Sequence, residues 1–68
     1  MVNRFLQGYK YTNKSYKHDM LILSVRTTDA KKVKMFVVWI DRKTLKNSDN
    51  MQEVEILRKD MCNWNIAS

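Results

Sequence analysis

The segment from Tyr9 to His18 places tyrosines among cationic side chains, in the order Tyr-Lys-Tyr-Thr-Asn-Lys-Ser-Tyr-Lys-His. Because aromatic rings stack on unpaired bases and lysines contact phosphates, this interleaving is typical of proteins that bind single-stranded nucleic acid. The competing interpretation is that Tyr9 and Tyr11 fill one end of a small hydrophobic core and keep their hydroxyls in water. Aromatic residues are ordinary in strands, so both interpretations stay open.

A second group of cations lies around a predicted hairpin and at the end of the strand that follows it. If the two strands of this hairpin pair, Arg26 and Lys34 share one side and extend a positive patch. Lysines at hairpin tips also keep small β domains soluble without any ligand. The hypothesised nucleic-acid-binding residues of the two groups together are Tyr9, Lys10, Tyr11, Lys14, Lys17, Arg26, Lys31, Lys32, Lys34, Arg42 and Lys43.

Side chains suited to catalysis or metal binding are sparse. His18 is the only histidine and Cys62 the only cysteine, whereas a zinc site commonly needs three or four ligands. Nothing near His18 in the sequence marks it as the base of an activated nucleophile. Gly8 is the only glycine, which argues against glycine-rich phosphate loops. We therefore predict no enzyme, no catalytic residue, no metal, no cofactor and no small-molecule substrate.

The formal charge of +6 is distributed unevenly along the chain. Residues 1 to 46 carry eleven Lys/Arg and three Asp, a net +8, whereas residues 47 to 68 carry a net −2. A basic excess raises encounter rates with nucleic acid or with acidic protein surfaces, without choosing between them. No signal peptide is visible, and the longest apolar run, Met35 to Ile40, is too short to span a membrane. We expect a cytoplasmic protein with no membrane contact.

The 68 residues predict one domain, 1 to 68, because no repeat, low-complexity stretch or proline marks a linker. A chain this short buries only about 60% of the surface that it exposes when unfolded. A single cysteine cannot form an internal disulfide, so packing or homo-oligomerisation must supply the stability. Trp39 and Trp64 are expected to anchor the core, with Cys62 half-buried beside Trp64.

Alternating apolar residues predict the first three strands. Residues 5 to 11 suit the first strand, in which Gly8 marks a bulge or a close backbone approach, and residues 12 to 18 form a loop. Residues 20 to 26 form the second strand. Residues 27 to 32 are the hairpin tip, and residues 33 to 40 form a third strand that is either covered on both sides or bends across a barrel corner. The core face of the second strand is predicted to carry Leu21, Leu23 and Val25.

The part of the chain beyond the polar connection at 41 to 50 has two interpretations. Met51, Val54, Leu57 and Met61 have helical spacing, which favours an amphipathic helix. The strand interpretation pairs Val54 with Ile56, and it is preferred because a helix would leave Ile56 in solvent. We therefore predict a strand at 52 to 58, a helical turn at 59 to 63 and a last strand at 64 to 67.

These elements predict an all-β fold, a small five-stranded SH3-like barrel with a short helical turn before the last strand. Closure of a barrel removes the exposed edges that a small sheet must otherwise protect. The alternative is an α+β fold, with a three-stranded antiparallel sheet and one C-terminal helix.

Several core-like motifs span most of the chain: Gly8-x-x-Tyr11, Asp19 before a strand that ends Leu23-Ser24-Val25, the run Met35 to Ile40, then Val54-Glu55-Ile56, Asp60 and Trp64. In these motifs the chain resembles a group of short, uncharacterised SH3-like proteins of marine phages and ocean metagenomes. The resemblance implies the fold without implying an activity.

Two functional hypotheses follow. The first is a non-enzymatic binding module that contacts nucleic acid through its basic and aromatic residues, with attraction to the charged phosphate backbone outweighing any recognition of base sequence. The second is a protein-interaction or assembly factor that acts through an apolar groove, an edge strand or a homodimer.

Overall fold

The structure is a computed structural model that describes residues 4–46 and 51–67. Five strands and one short helix make up its regular structure. The strands are β1 (Lys10–Asn13), β2 (His18–Thr28), β3 (Lys32–Asp41), β4 (Gln52–Leu57) and β5 (Trp64–Ile66), and a 3-10 helix (Arg58–Asn63) joins β4 to β5.

All five strands belong to one antiparallel sheet in the order β4-β3-β2-β1-β5. The predicted all-β fold is confirmed, with five strands in one antiparallel sheet and a helical turn before the last strand. The alternative with a C-terminal α-helix is wrong, because residues 52 to 57 form β4. The predicted closure of the sheet into a barrel is wrong, since in the described ranges no ladder joins β4 to β5. The 3-10 helix packs against both of these edge strands.

The hairpin of β2 and β3 forms the centre of the sheet and supplies most of the core. Val33, Met35 and Val37 alternate inward from β3, and Met20 and Ile22 are fully buried from β2. The buried residues of each strand are spaced two apart, because neighbouring side chains in a strand point to opposite faces of the sheet.

The predicted core face of β2 is wrong, because Leu21 and Leu23 are only half-buried and Val25 is exposed. Residues 20 to 23 are apolar at every position, so alternation alone does not say which row faces inward. The inward row is Met20 and Ile22, which pair with Trp39 and Val37 of β3. Register shifts then follow between Ile22 and Ser24 and between Val25 and Thr27. They change which face of the sheet the later side chains of β2 lie on.

The second half of the core comes from both ends of the chain. Phe5 contacts Tyr11 edge to face at 4.9 Å and Trp64 at 6.2 Å between ring centroids. Met61 of the 3-10 helix closes this cluster. Trp64 is therefore a core anchor as predicted, whereas Trp39 is half-buried and packs on the margin of the core.

The first strand starts later than predicted, at Lys10 instead of residue 5. Gly8 lies in a turn with φ of 86°, a backbone conformation that costs little only for glycine. The turn is fastened to β2, because the Gly8 amide donates to the Ile22 carbonyl at 2.8 Å and the Ile22 amide donates to the Tyr9 carbonyl at 3.0 Å. The loop predicted at 12 to 18 shortens to a turn at 14 to 17.

The second half of the chain follows the sequence closely. The predicted strand, helical turn and last strand are confirmed within one residue at each boundary. Of the predicted polar connection at 41 to 50, Asp41 is the last residue of β3, and residues 42 to 46 form a turn in which the Leu45 amide donates to the Asp41 carbonyl at 2.7 Å. The rest of that connection, 47 to 50, lies outside the described residues.

Candidate nucleic-acid interface

The β1–β2 turn (residues 14 to 17) and the β3–β4 turn (residues 42 to 46) lie side by side because of Arg42. Its Nε donates to Asp19 Oδ1 at 2.7 Å, and its Nη2 donates to the Asn13 carbonyl at 2.9 Å. Asp19 is buried, with 12% of its side chain exposed. Since buried charges require partners, this ion pair fixes the spacing of the two turns.

Four exposed lysines are carried by these two turns, and we call them the basic end: Lys14, Lys17, Lys43 and Lys46. None of them forms an ion pair with a residue that the structure describes. Within residues 4–46 and 51–67, no carboxylate at ion-pair distance therefore offsets their charges.

Asp41 shapes the β3–β4 turn. Its Oδ1 accepts the amide hydrogens of Lys43 at 2.8 Å and Thr44 at 3.1 Å. These backbone hydrogen bonds, with the Thr44 amide as the largest cause, lower the pKa of Asp41 from its ordinary value of 3.8. His18 lies nearby, with its Nε2 3.8 Å from Asp41 Oδ2.

Tyr16 is the aromatic side chain nearest to the basic end in the sequence. Its ring stacks on Trp39 at 5.8 Å with an interplanar angle of 8°, and it contacts Trp64 at 5.1 Å. The Trp39 Nε1 donates to Gln52 Oε1 at 2.6 Å, which holds that indole in place. Tyr16 nevertheless keeps 48% of its surface exposed. It is a fixed aromatic surface beside the lysines of the basic end.

Tyr9 and Tyr11 do not form the shared stacking surface that the sequence predicted. Tyr11 is 1% exposed and belongs to the core, and its hydroxyl accepts the Leu6 amide at 2.9 Å. Tyr9 precedes β1 and is exposed. The assignment of Tyr11 as a binding residue is therefore wrong, because a buried ring has no face for a base.

Tyr9 and Lys10 instead line a shallow groove of about 490 Å³ on another part of the surface. Its other walls are mainly apolar, from Leu21, Ile40 and Ile66. This groove lacks the cluster of cations that the basic end provides.

The cations of the hairpin are largely engaged with neighbouring groups. Lys32 and Lys34 lie 3.4 Å and 3.8 Å from Glu55 Oε2. Arg26 lies over the ring of Phe36, 5.0 Å from its centroid. Phe36 and Lys34 are two residues apart on β3 and share its outer face. This region is a mixed-charge surface.

Lys31 occupies the tip of the β2–β3 hairpin, at the far end of β3 from Arg42 and Lys43. The ten residues of β3 span roughly 33 Å at about 3.3 Å per residue, close to the longest extent of the molecule, 35 Å. The eleven predicted residues therefore do not form one surface. Of these residues, Lys14, Lys17 and Lys43 lie on the two turns that Arg42 joins through its hydrogen bonds to Asp19 and Asn13.

Two residues of this region were missing from the predicted set, Tyr16 and Lys46. Tyr16 stands inside the Tyr/Lys segment, so the sequence contains a signal for it. Its packing on Trp39 and Trp64 depends on contacts distant in the chain, which no local pattern indicates.

Cys62 is exposed, so the prediction of a half-buried cysteine is wrong. The 3-10 helix turns Met61 into the core and leaves Cys62 outside. Within residues 4–46 and 51–67, no group of three or more His, Cys, Asp or Glu side chains is arranged to hold a metal ion. The described residues also contain no helix of the length and hydropathy required to cross a bilayer.

Comparisons of the chain with protein-family models, with curated proteins and with solved structures gave no match.

Proposed function

We propose that this chain is a non-enzymatic module that binds single-stranded nucleic acid through the basic end. The observation that carries the proposal is the tether formed by Arg42. By joining Asp19 to the Asn13 carbonyl, it brings together the two turns that carry these lysines, and the first of these turns also carries the exposed ring of Tyr16. Surfaces that bind single-stranded nucleic acid combine aromatic rings, which stack on bases, with lysines, which contact phosphates.

Charge distribution favours the basic end over the hairpin. Lys32 and Lys34 share the carboxylate of Glu55, which offsets part of their charge. The lysines of the basic end have no such partner among the described residues. Lysines that meet phosphates release the counterions condensed on the strand, and this release drives binding at low salt.

A salt titration of a labelled single-stranded oligonucleotide tests the proposal. The variant Lys14→Gln/Lys43→Gln removes two charges from the basic end. The slope of log affinity against log salt should become shallower by about 1.4, at about 0.7 per lost phosphate contact. The matched control, Lys31→Gln/Lys59→Gln, removes two exposed lysines near the hairpin tip. It should leave the slope nearly unchanged.

Two results would contradict the proposal. One is the absence of binding to single-stranded DNA or RNA at low ionic strength. The other is an equal loss of slope in both double variants, because it would show that net charge alone, and not the basic end, attracts the strand.

A second candidate function is protein interaction through self-association. The groove of Tyr9, Leu21, Ile40 and Ile66 lies beside β5, an edge strand of the sheet, and Ile66 is 55% exposed. An apolar groove next to an unpaired edge suits a second copy that adds its own strand. Sedimentation equilibrium of wild type and Ile66→Lys tests this function, which requires a dimer that the substitution dissociates.

A further inference from the structure

A groove runs between the β1–β2 turn and the 3-10 helix, and we call it the turn–helix groove. It consists of two adjoining hollows of about 420 and 330 Å³ that share Asn13, Ser15 and Asn63. The larger hollow has aromatic and acidic walls, including Tyr16, Trp64, Glu55 and Asp60. The smaller one has polar walls that include Lys14, Cys62 and Asn65.

We propose that the turn–helix groove holds one guanine nucleotide of the bound strand. The base lies against Tyr16 with its hydrogen-bonding edge toward Asp60, and its phosphate lies at Lys14. This inference rests on the proposed function and adds to it a specific subsite and a base preference.

The stacking surface is set before any ligand arrives. Tyr16 is held by Trp39 and Trp64, yet 48% of its surface is exposed. A ring that is already fixed loses little conformational entropy when a base stacks on it. Stacking on a protein aromatic contributes about 1–3 kcal/mol per base, whichever base it is. Stacking on Tyr16 therefore contributes affinity without distinguishing between bases. The preference for one base must come from the polar walls of the groove.

Asp60 supplies that choice. It is exposed, and its carboxylate forms no hydrogen bond or ion pair with the residues described, whereas Glu55 on the same wall is near Lys32 and Lys34. An ionised carboxylate only accepts hydrogen bonds. Guanine presents two adjacent N–H donors on its Watson–Crick edge, and adenine, cytosine, uracil and thymine each place an acceptor beside their donor. The groove therefore favours guanine.

The charges also set the direction of the nucleotide. Phosphate is repelled by the carboxylate of Asp60 in the larger hollow and attracted by Lys14 in the smaller one. The amide side chain of Asn65 lies in the same smaller hollow as Lys14. Base and phosphate thus occupy different hollows of one groove.

The first test measures base preference with oligothymidylate that carries one central guanine, against oligothymidylate alone. A single guanine in thymidine avoids the quadruplexes that guanine runs form. Wild type should bind the guanine strand about tenfold more tightly, the order expected for one bidentate base contact. Asp60→Asn should abolish this ratio. Glu53→Gln, which removes the same charge from an exposed position on β4, should keep the preference for the guanine strand.

The second test separates stacking from charge. Tyr16→Leu keeps an apolar side chain against the tryptophans and removes the ring, so affinity for the guanine strand should fall about tenfold. Tyr9→Leu is the matched control, because Tyr9 has the same exposed fraction, 48%, and lies outside the groove. Thermal melts of both variants check that the lost affinity does not come from unfolding. Tyr16→Phe, which keeps the ring, should bind the guanine strand like wild type.

Failure of the subsite and failure of the proposed function give different results. Salt-dependent binding with no guanine preference and no effect of Tyr16→Leu would overturn the subsite and leave the basic end intact. Absence of binding to every oligonucleotide would overturn the proposed function and the subsite together. If an oligoarginine peptide shifts the NMR signals of Tyr16 and Asp60 while the guanine strand does not, the groove binds a cationic peptide and the nucleotide assignment is wrong.

Discussion

The guanidinium of Arg42 donates to the buried carboxylate of Asp19 at 2.7 Å, across 23 residues of chain. Asp19 precedes the buried core residues of β2, and Arg42 begins the β3–β4 turn directly after β3. The same guanidinium donates to the Asn13 carbonyl at the end of β1. One side chain therefore couples three strands at the end of the sheet that carries the basic end.

Arg42→Ala should destabilise the fold, because it leaves Asp19 buried without its partner. We expect a loss of about 1.5–3 kcal/mol in the free energy of unfolding, the range for hydrogen bonds to charged groups. Arg42→Lys should recover little of it, since an ammonium lacks the planar fork that reaches Asp19 and Asn13 together. Urea denaturation of the single variants and of Arg42→Ala/Asp19→Asn measures the coupling. Additive losses in the double variant would show that the pair contributes nothing.

Tyr11→Phe should cost stability without changing nucleic-acid affinity. The substitution keeps the buried ring and removes the hydroxyl that accepts the Leu6 amide. The expected loss is about 0.5–1.5 kcal/mol. Thermal and urea unfolding measure the first effect, and anisotropy titration measures the second. A drop in affinity for a variant that remains folded would return Tyr11 to the binding surface and contradict its assignment to the core.

Replacing Gly8 with L-alanine and with D-alanine should change the stability of the fold in opposite directions. At φ of 86° an L side chain is strained, so Gly8→Ala should destabilise by about 1–2 kcal/mol. A Cβ built at Gly8 meets nothing within 4 Å, so the cause is the backbone and not a clash. A synthetic chain with D-alanine at this position should gain roughly 0.4–1 kcal/mol, because it restricts only the unfolded state. Equal effects of both forms would contradict a conformational cause.

Acidification should weaken the two turns that Asp29 and Asp41 cap. Asp29 accepts the amide hydrogens of Lys31 and Lys32 at 2.8 and 2.9 Å, which lower its pKa, with the Lys31 amide as the largest cause. The pKa of Asp41 is lowered in the same way by the amides of Thr44 and Lys43. A lowered folded pKa adds stability that is present above the unfolded value of 3.8 and is lost as pH falls through the folded value.

The double variant Asp29→Asn/Asp41→Asn keeps an oxygen acceptor at each turn and removes the titration. Its stability should therefore change less between about pH 5 and about pH 2 than that of wild type, as measured by urea unfolding across that interval. Asp60→Asn, which removes a carboxylate that accepts no backbone amide among the described residues, is the control. A pH profile unchanged by the double variant would contradict the role of these caps.

The sequence alone determined that β3 is a strand, and it favoured a strand over a helix for β4. β3 was recognisable because Val33, Met35 and Val37 alternate with neighbours in a β-branched run, and β4 because Val54 and Ile56 share one face. Local alternation is enough for such assignments, since it reflects the two-residue period of a strand.

Only the tertiary structure decided which face of each strand lies inside. In β2 every residue from Met20 to Leu23 is apolar, so either row suits a core, and pairing with Trp39 and Val37 turned Met20 and Ile22 inward. The tertiary structure also decided which tyrosine is buried. Tyr11 and Tyr16 lie in one short segment of the sequence, but packing against Phe5 buries Tyr11. Tyr16 lies in the β1–β2 turn, where it stacks on Trp39 and remains half exposed. Contacts between residues far apart in the chain made this choice, and no local pattern encodes them.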